Sequence, residues 1–125
     1  MLRNLLKDIS KIYIAYGSTD FRKQIVGLCK IVENEYKMNP YEKCAFIFCN
    51  RHKTSIKILT YDKNGFILAQ KTLLGIDKVK FKWPRTPGDM KNITKEQLEW
   101  LLSGLDMYPK KYFKDIDAAA DMFVS

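Results

Sequence analysis

The chain has 125 residues, enough for one domain with a modest core, and 46% of them are apolar, so a disordered chain is not expected. Charge is uneven: residues 1–85 carry 17 Lys and Arg against 7 Asp and Glu, whereas residues 86–125 carry 5 against 7. No apolar run could span a bilayer and no secretory leader pattern is present, so the expectation is a cytoplasmic protein with no membrane contact and with polyanionic partners, nucleic acid first among them.

Leu2, Leu5, Leu6 and Ile9 fall at helical spacing and predict a short amphipathic helix or an ordered arm. Residues 11–16 (KIYIAY) are rich in β-branched and aromatic types and predict a strand, which Gly17-Ser18-Thr19-Asp20 stops. Ser18 or Thr19 is a candidate cap, and Asp20 suits the positive end, of a long helix from about residue 20 to residue 37. Phe21, Ile25, Leu28, Val32 and Tyr36 are its apolar stripe. Gly27 is expected to let that helix approach the sheet closely, and Asn39-Pro40 ends it.

Four β-rich runs follow, at residues 45–49, 55–61, 66–74 and 79–83, and the short connections predict an antiparallel meander. Val79, Lys80, Phe81, Lys82 and Trp83 alternate strictly, as a strand with one wet face does. Asp62-Lys63-Asn64-Gly65 suits a three-residue loop with a bulge, which sets Asp62 against Phe66 and Lys57 against Lys71. In that register Ile56, Ile58, Phe66 and Leu68 share the core face, and Lys57, Tyr61 and Lys71 share the other. A two-residue Asn64-Gly65 turn is set aside because it would bring Lys71 to the side of Ile56 and Ile58. Residues 84–88 read as a loop. Thr94 caps a helix at residues 95–103, with Gln97 completing a capping box and Leu98, Leu101, Leu102 and Leu105 facing inward. Gly104 is its stop. The expected fold is therefore α+β: a mostly antiparallel β-meander with one long helix packed on the sheet and a short C-terminal helix. Residues 1–107 form the domain, and residues 108–125 a tail whose Phe113, Ile116, Ala120 and Phe123 have the spacing of a short docked helix.

A two-metal nuclease needs clustered carboxylates. Here Asp20 and Asp62 are explained by helix and turn, and Asp106 follows a helix end. His52 is the only histidine, and the three cysteines have no framework spacing, which reads as reduced thiols. Cys44 and Cys49 would point to opposite faces of a regular strand, which argues against zinc and against a Cys–His pair. No Walker loop or dinucleotide fingerprint occurs. No catalytic residue, metal or cofactor is expected. The basic residues are the better lead: Arg22, Lys23, Asn50, Arg51, Lys57, Lys71 and Lys82 are candidate nucleic-acid contacts, and Tyr61 a candidate base-stacking ring. The plain alternative is that strand lysines guard sheet edges.

Several local patterns coincide. Gly17-Ser18-Thr19-Asp20-Phe21-Arg22-Lys23 followed by Gly27-Leu28 resembles the opening of a bacterial transposition protein. Phe46-Ile47-Phe48-Cys49-Asn50-Arg51, Ile56 to Phe66, Phe81-Lys82-Trp83-Pro84 and Leu101-Leu102-Ser103-Gly104-Leu105 resemble its core and closing motifs, in collinear order over about residues 11–107. The family is the accessory protein encoded by the second open reading frame of insertion sequence sixty-six elements, the TnpB type. The resemblance implies a protein needed for transposition beside a separate, larger DDE transposase, with element-end DNA and that transposase as partners, and it does not imply an enzyme. Two rival readings are an adaptor that docks on the transposase without touching DNA, and a metal-dependent enzyme acting on nucleic acid. Gln24 and Val26 depart from the family pattern, and the loop after Asn50-Arg51 carries fewer arginines than is usual for it.

Overall fold

The structure is a computed structural model, and it describes residues 2–74, 79–84 and 90–105. In chain order it contains α1 (Leu2–Leu5), β1 (Lys11–Ala15), α2 (Ile25–Lys30) continued by a π-helical turn (Ile31–Glu35), β2 (Cys44–Cys49), β3 (Ser55–Asp62), β4 (Gly65–Thr72), β5 (Met90–Ile93) and α3 (Lys95–Leu102). The five strands form one sheet in the order β4-β3-β2-β1-β5. β2, β3 and β4 make the expected antiparallel meander. β1 runs parallel to β2, because the connection between them carries a helix and must cross over the sheet. The fold is thus mixed α+β.

All six residues of β2 are buried, which requires cover on both sheet faces. On one face α2 and the π turn bring Leu28 and Val32 over Ala15, Cys44, Phe46, Phe48 and Leu59. On the other, Leu6, Phe81, Trp83, Leu98 and Leu101 cover Ile12, Ile14, Ala45, Ile47, Ile56 and Ile58. Cys44 and Cys49 do lie on opposite faces, both buried and unpaired, and burial pushes the Cys49 thiol up to about 12.

Several expectations need correction. The helix expected from residue 20 to 37 is short: 6 α-helical residues followed by 5 π-helical ones. It starts at Ile25 after an uncapped Gln24, not behind Ser18 or Thr19. Asp20 captures the backbone N–H of Arg22 at 2.9 Å, and Lys57 Nζ occupies the carbonyls of Phe21 and Lys23, so regular helical bonding begins only at the Gln24 carbonyl, which accepts from the Leu28 N–H at 2.8 Å. Gly27 serves Lys23 and not the sheet: a Cβ there would stand 2.9 Å from Lys23 Cδ.

The segment at residues 79–84 is not a strand. It keeps its alternation, with Phe81 and Trp83 buried and Lys80 and Lys82 exposed, but it packs flat on the α3 side of the sheet. An edge strand not anticipated from the sequence, β5, pairs with β1 instead.

The hairpin register also differs. Asp62 opposes Gly65 across the two-residue loop Lys63-Asn64, with Lys63 at φ 52°. Lys57 therefore faces Gln70, and Lys71 faces Ile56. Phe66 and Leu68 join Leu59 on the α2 face, while Lys71 moves to the face of Ile56 and Ile58. At the C-terminal end the cap and the stop are as expected, but Leu105 does not face inward as expected. Thr94 and Gln97 form the capping box, and Gly104 stops the helix with φ 83°. Leu98 and Leu101 are buried, whereas Leu105 is exposed. The tail expected at residues 108–125 lies outside the described residues.

Candidate nucleic-acid interface

At one end of the sheet β1 and β2 finish, β3 begins and β4 ends. Three segments meet there: residues 17–23, the loop 50–54, and residues 79–84. Backbone hydrogen bonds join them. Gly17 N–H donates to the Pro84 carbonyl at 3.0 Å, Thr19 N–H to Cys49 at 2.8 Å, and Phe81 N–H to Lys53 at 2.8 Å. The Trp83 indole N–H donates to the buried Ala15 carbonyl at 3.0 Å, so the tryptophan both fills the core and pins the third segment. Gly17 takes φ 79°, a left-handed conformation that lets the chain leave β1 toward Pro84.

The loop between β2 and β3 is built by Asn50. Its Oδ1 accepts from the backbone N–H groups of Thr54 and Ser55 at 2.9 and 3.0 Å, and its Nδ2 donates to Thr54 Oγ1 at 3.0 Å. That satisfies the amide and fixes the loop, so Asn50 shapes the site and does not reach outward. Arg51 and His52 are the exposed tip, and Lys53 sits half-buried at φ 59°. Gly17, Ser18, Asn50, Arg51, Lys53, Trp83 and Pro84 line a shallow cavity of about 190 Å³. Two of these are cations and none is a carboxylate.

Basic side chains flank the cavity on both sides. Arg22 and Lys23 are exposed beside α2, and Lys80 and Lys82 are exposed on the 79–84 segment. The one acid of this region among the described residues, Asp20, is engaged by Arg22 through Nη2 at 2.8 Å and Nε at 3.1 Å. Hydrogen bonds from the Arg22 side chain and backbone hold the Asp20 carboxyl down to about 2. Arg22 remains 91% exposed, with a face of its guanidinium open to solvent.

The remaining candidates lie elsewhere. Lys57 is 2% exposed, and its ammonium donates to the Phe21 and Lys23 carbonyls at 2.9 Å each while sitting 4.8 Å from the Phe21 ring centre. Burial pushes its pKa down, and Asp20 opposes that shift. The ammonium is spent on holding residues 20–24 and does not reach the surface. Lys71 is exposed, but its Nζ donates to the last-turn carbonyl of Leu102 at 2.9 Å, where a cation suits the negative end of α3.

Tyr61 lies six residues along β3 from Ser55, roughly 20 Å at the rise of a strand. There it packs against Tyr41 and Phe66 with ring centres 5.2 and 5.0 Å away, and its hydroxyl donates to Lys63. The groove beside it is larger, about 390 Å³, but its lining balances Lys43 and Lys63 against Asp8 and Asp62, so it has no bias toward an anion. Asp62 and Asp20 stand at opposite ends of the sheet, and Asp106 lies outside the described residues. Among the described residues no group of three His, Cys, Asp or Glu could hold a metal ion, and no helix is long and apolar enough to cross a membrane.

Gly17, Ser18, Trp83 and Pro84 as walls of the basic cavity were not anticipated from residue chemistry. The available signal was that Gly17, Asn50-Arg51 and Trp83-Pro84 each lie at the end of a β-rich run in the sequence.

A family model described as IS66 Orf2 like protein matches residues 10–112. Two relatives from Sinorhizobium fredii (strain NBRC 101917 / NGR234) are similar to the chain. The uncharacterized protein y4hO is 34% identical over 96 residues, covering 77% of this chain and 81% of its own. The uncharacterized protein y4jC is 27% identical over 96 residues, with 77% and 80% covered. No solved structure matches the chain.

Proposed function

The chain belongs to the family of IS66 Orf2 like proteins, which links it to the transposition of insertion sequences, and from that premise we propose that it is an accessory factor that holds DNA by its phosphates at the basic end of the sheet. It works there beside the separate DDE transposase of the same element. One observation carries this reading: three motifs far apart in sequence are hydrogen-bonded into a single surface that exposes Arg22, Lys23, Arg51, Lys80 and Lys82 and whose only described acid is neutralised by Arg22. Lys23, Arg51 and Lys82 are the principal phosphate contacts. Arg22, His52 and Lys80 add to the same field. Such contacts position a duplex without reading its sequence.

The test is duplex binding measured across a salt series. The parent protein should lose affinity steeply as salt rises, and Arg51→Ala combined with Lys82→Ala should make the log–log slope shallower by about 2. If binding and slope are unchanged in the double variant, the DNA reading fails, and a factor that docks only on the transposase takes its place.

A further inference from the structure

The outer edge of β4 is the longest unpaired backbone among the described residues, and we infer that it is a dimerisation edge: two copies of this chain join β4 to β4, antiparallel, about a two-fold axis at Ala69.

The direction of the backbone groups follows from the ladder. Leu73 N–H donates to the Thr54 carbonyl at 2.7 Å, so residues 54 and 73 form a hydrogen-bonded pair. Stepping by two along the observed register, Lys71, Ala69, Ile67 and Gly65 also turn their N–H and C=O groups toward β3. Phe66, Leu68, Gln70 and Thr72 therefore turn theirs outward. Backbone groups in such a row template another strand unless something guards them.

The usual guards are missing from β4. It has eight residues in unbroken register with β3, hence no bulge, and no proline. Its one charged side chain, Lys71, carries its ammonium back to Leu102 and away from the edge. Ile67 is 38% exposed there. The opposite edge of the sheet is different, since β5 has only four residues and includes an exposed lysine, Lys91.

A second copy is the strand that fits because the register is its own complement. In a continuous sheet, paired residues must lie on the same face, and the outward-turned residues must meet each other. Centring on Ala69 satisfies both conditions over residues 66–72. Phe66 then meets Thr72 of the other copy and Leu68 meets Gln70, both as hydrogen-bonded pairs. Ile67 meets Lys71 and Ala69 meets Ala69 in the closer, non-bonded positions. No like charges are opposed. The resulting sheet is continuous through both copies and leaves the two basic ends facing away from each other. This inference stands apart from the DNA reading.

Sedimentation equilibrium of the full chain should give a dimer. Leu68→Pro removes an outward donor, leaves the bonds to β3 in place, and should yield a folded monomer. Ala69→Cys should form an intermolecular disulfide, mapped to residue 69 by mass spectrometry, because paired Cα atoms at a non-bonded site lie within disulfide reach. Gln70→Cys should not, since residue 70 meets 68 and its own copy lies two pairs further along, at a diagonal of about 7–8 Å. If Leu68→Pro fails to fold, the cysteine pair still decides. A monomeric parent chain at its highest soluble concentration overturns the inference. So does a dimer in which residue 69 does not cross-link, or in which residues 69 and 70 cross-link equally.

Discussion

Replacing Lys57 by Met separates two roles that the same lysine could have. As a phosphate contact it would be dispensable to the fold, and its loss would remove about one unit from the salt slope of DNA binding. As the buried staple seen here, it holds residues 20–24 through two charge-assisted hydrogen bonds. Each bond of that kind contributes about 1.5–3 kcal/mol. Part of that is offset by the cost of keeping an ammonium under apolar cover, and the Met stem preserves the packing on Phe21. The expected net loss is about 2–3 kcal/mol. In urea this corresponds to a midpoint lower by about 0.7–3 M, taking a slope of about 1–3 kcal/mol/M for a small domain. Hydrogen exchange at Thr19, whose amide is tied to Cys49, should rise as the loop loosens. A Met variant as stable as the parent, with a salt slope shallower by one, would refute this assignment and return Lys57 to the DNA surface.

Two further outcomes follow from the same end of the sheet. Asp20 has its carboxyl held at about 2 against an ordinary 3.8, so its pairing with Arg22 stabilises the fold above pH 4 and is lost as pH falls toward 2. Thermal melts of the parent and Asp20→Asn should therefore differ near neutrality and converge by about pH 2; a constant gap would mean that the ion pair is not the cause. Trp83→Phe keeps an aromatic ring but removes the indole donor to the buried Ala15 carbonyl, and should cost about 1–3 kcal/mol in chemical unfolding, while a neutral result would show that this hydrogen bond does not stabilise the fold.

Much of this fold was legible because local chemistry and tertiary context agree. The capping box at Thr94, the meander of β2 to β4 and the two-faced placement of Cys44 and Cys49 each follow from a short pattern that nothing overrides. The long helix was not legible. Its apolar stripe continues upstream through Phe21, and residues 20–24 are kept out of it by Asp20, which takes the Arg22 N–H, and by Lys57, a lysine thirty-six residues from Phe21 that binds the carbonyls of Phe21 and Lys23. Strict alternation at residues 79–83 correctly separated buried from exposed side chains. It could not say whether the extended chain would join a ladder or lie across a sheet face. β5 was invisible for the opposite reason: Met-Lys-Asn-Ile has little strand character and is recruited by the free edge of β1.

The candidate site was half legible, and the half that was lost turned on one residue of register. The rule applied to the hairpin was that a lysine does not share the core face, which set aside the two-residue Asn64-Gly65 turn, and the same rule would have stood against the Lys63-Asn64 loop that forms. That rule fails at a sheet edge next to a helix end. Lys71 does lie on the side of Ile56 and Ile58, but it stays exposed and its ammonium meets the Leu102 carbonyl, a partner formed only once α3 is docked. With that partner available, the two-residue loop carries no buried-charge penalty. Lys57 is then placed opposite Gln70 and under residues 20–24. The pair of opposed lysines imagined on a basic sheet face therefore does not exist, and the cationic surface moves from the strands to the loops at the strand ends. Loops can hold cations outward at no cost to the core, whereas these strands are buried on both faces and can keep a lysine only by giving its charge a partner inside.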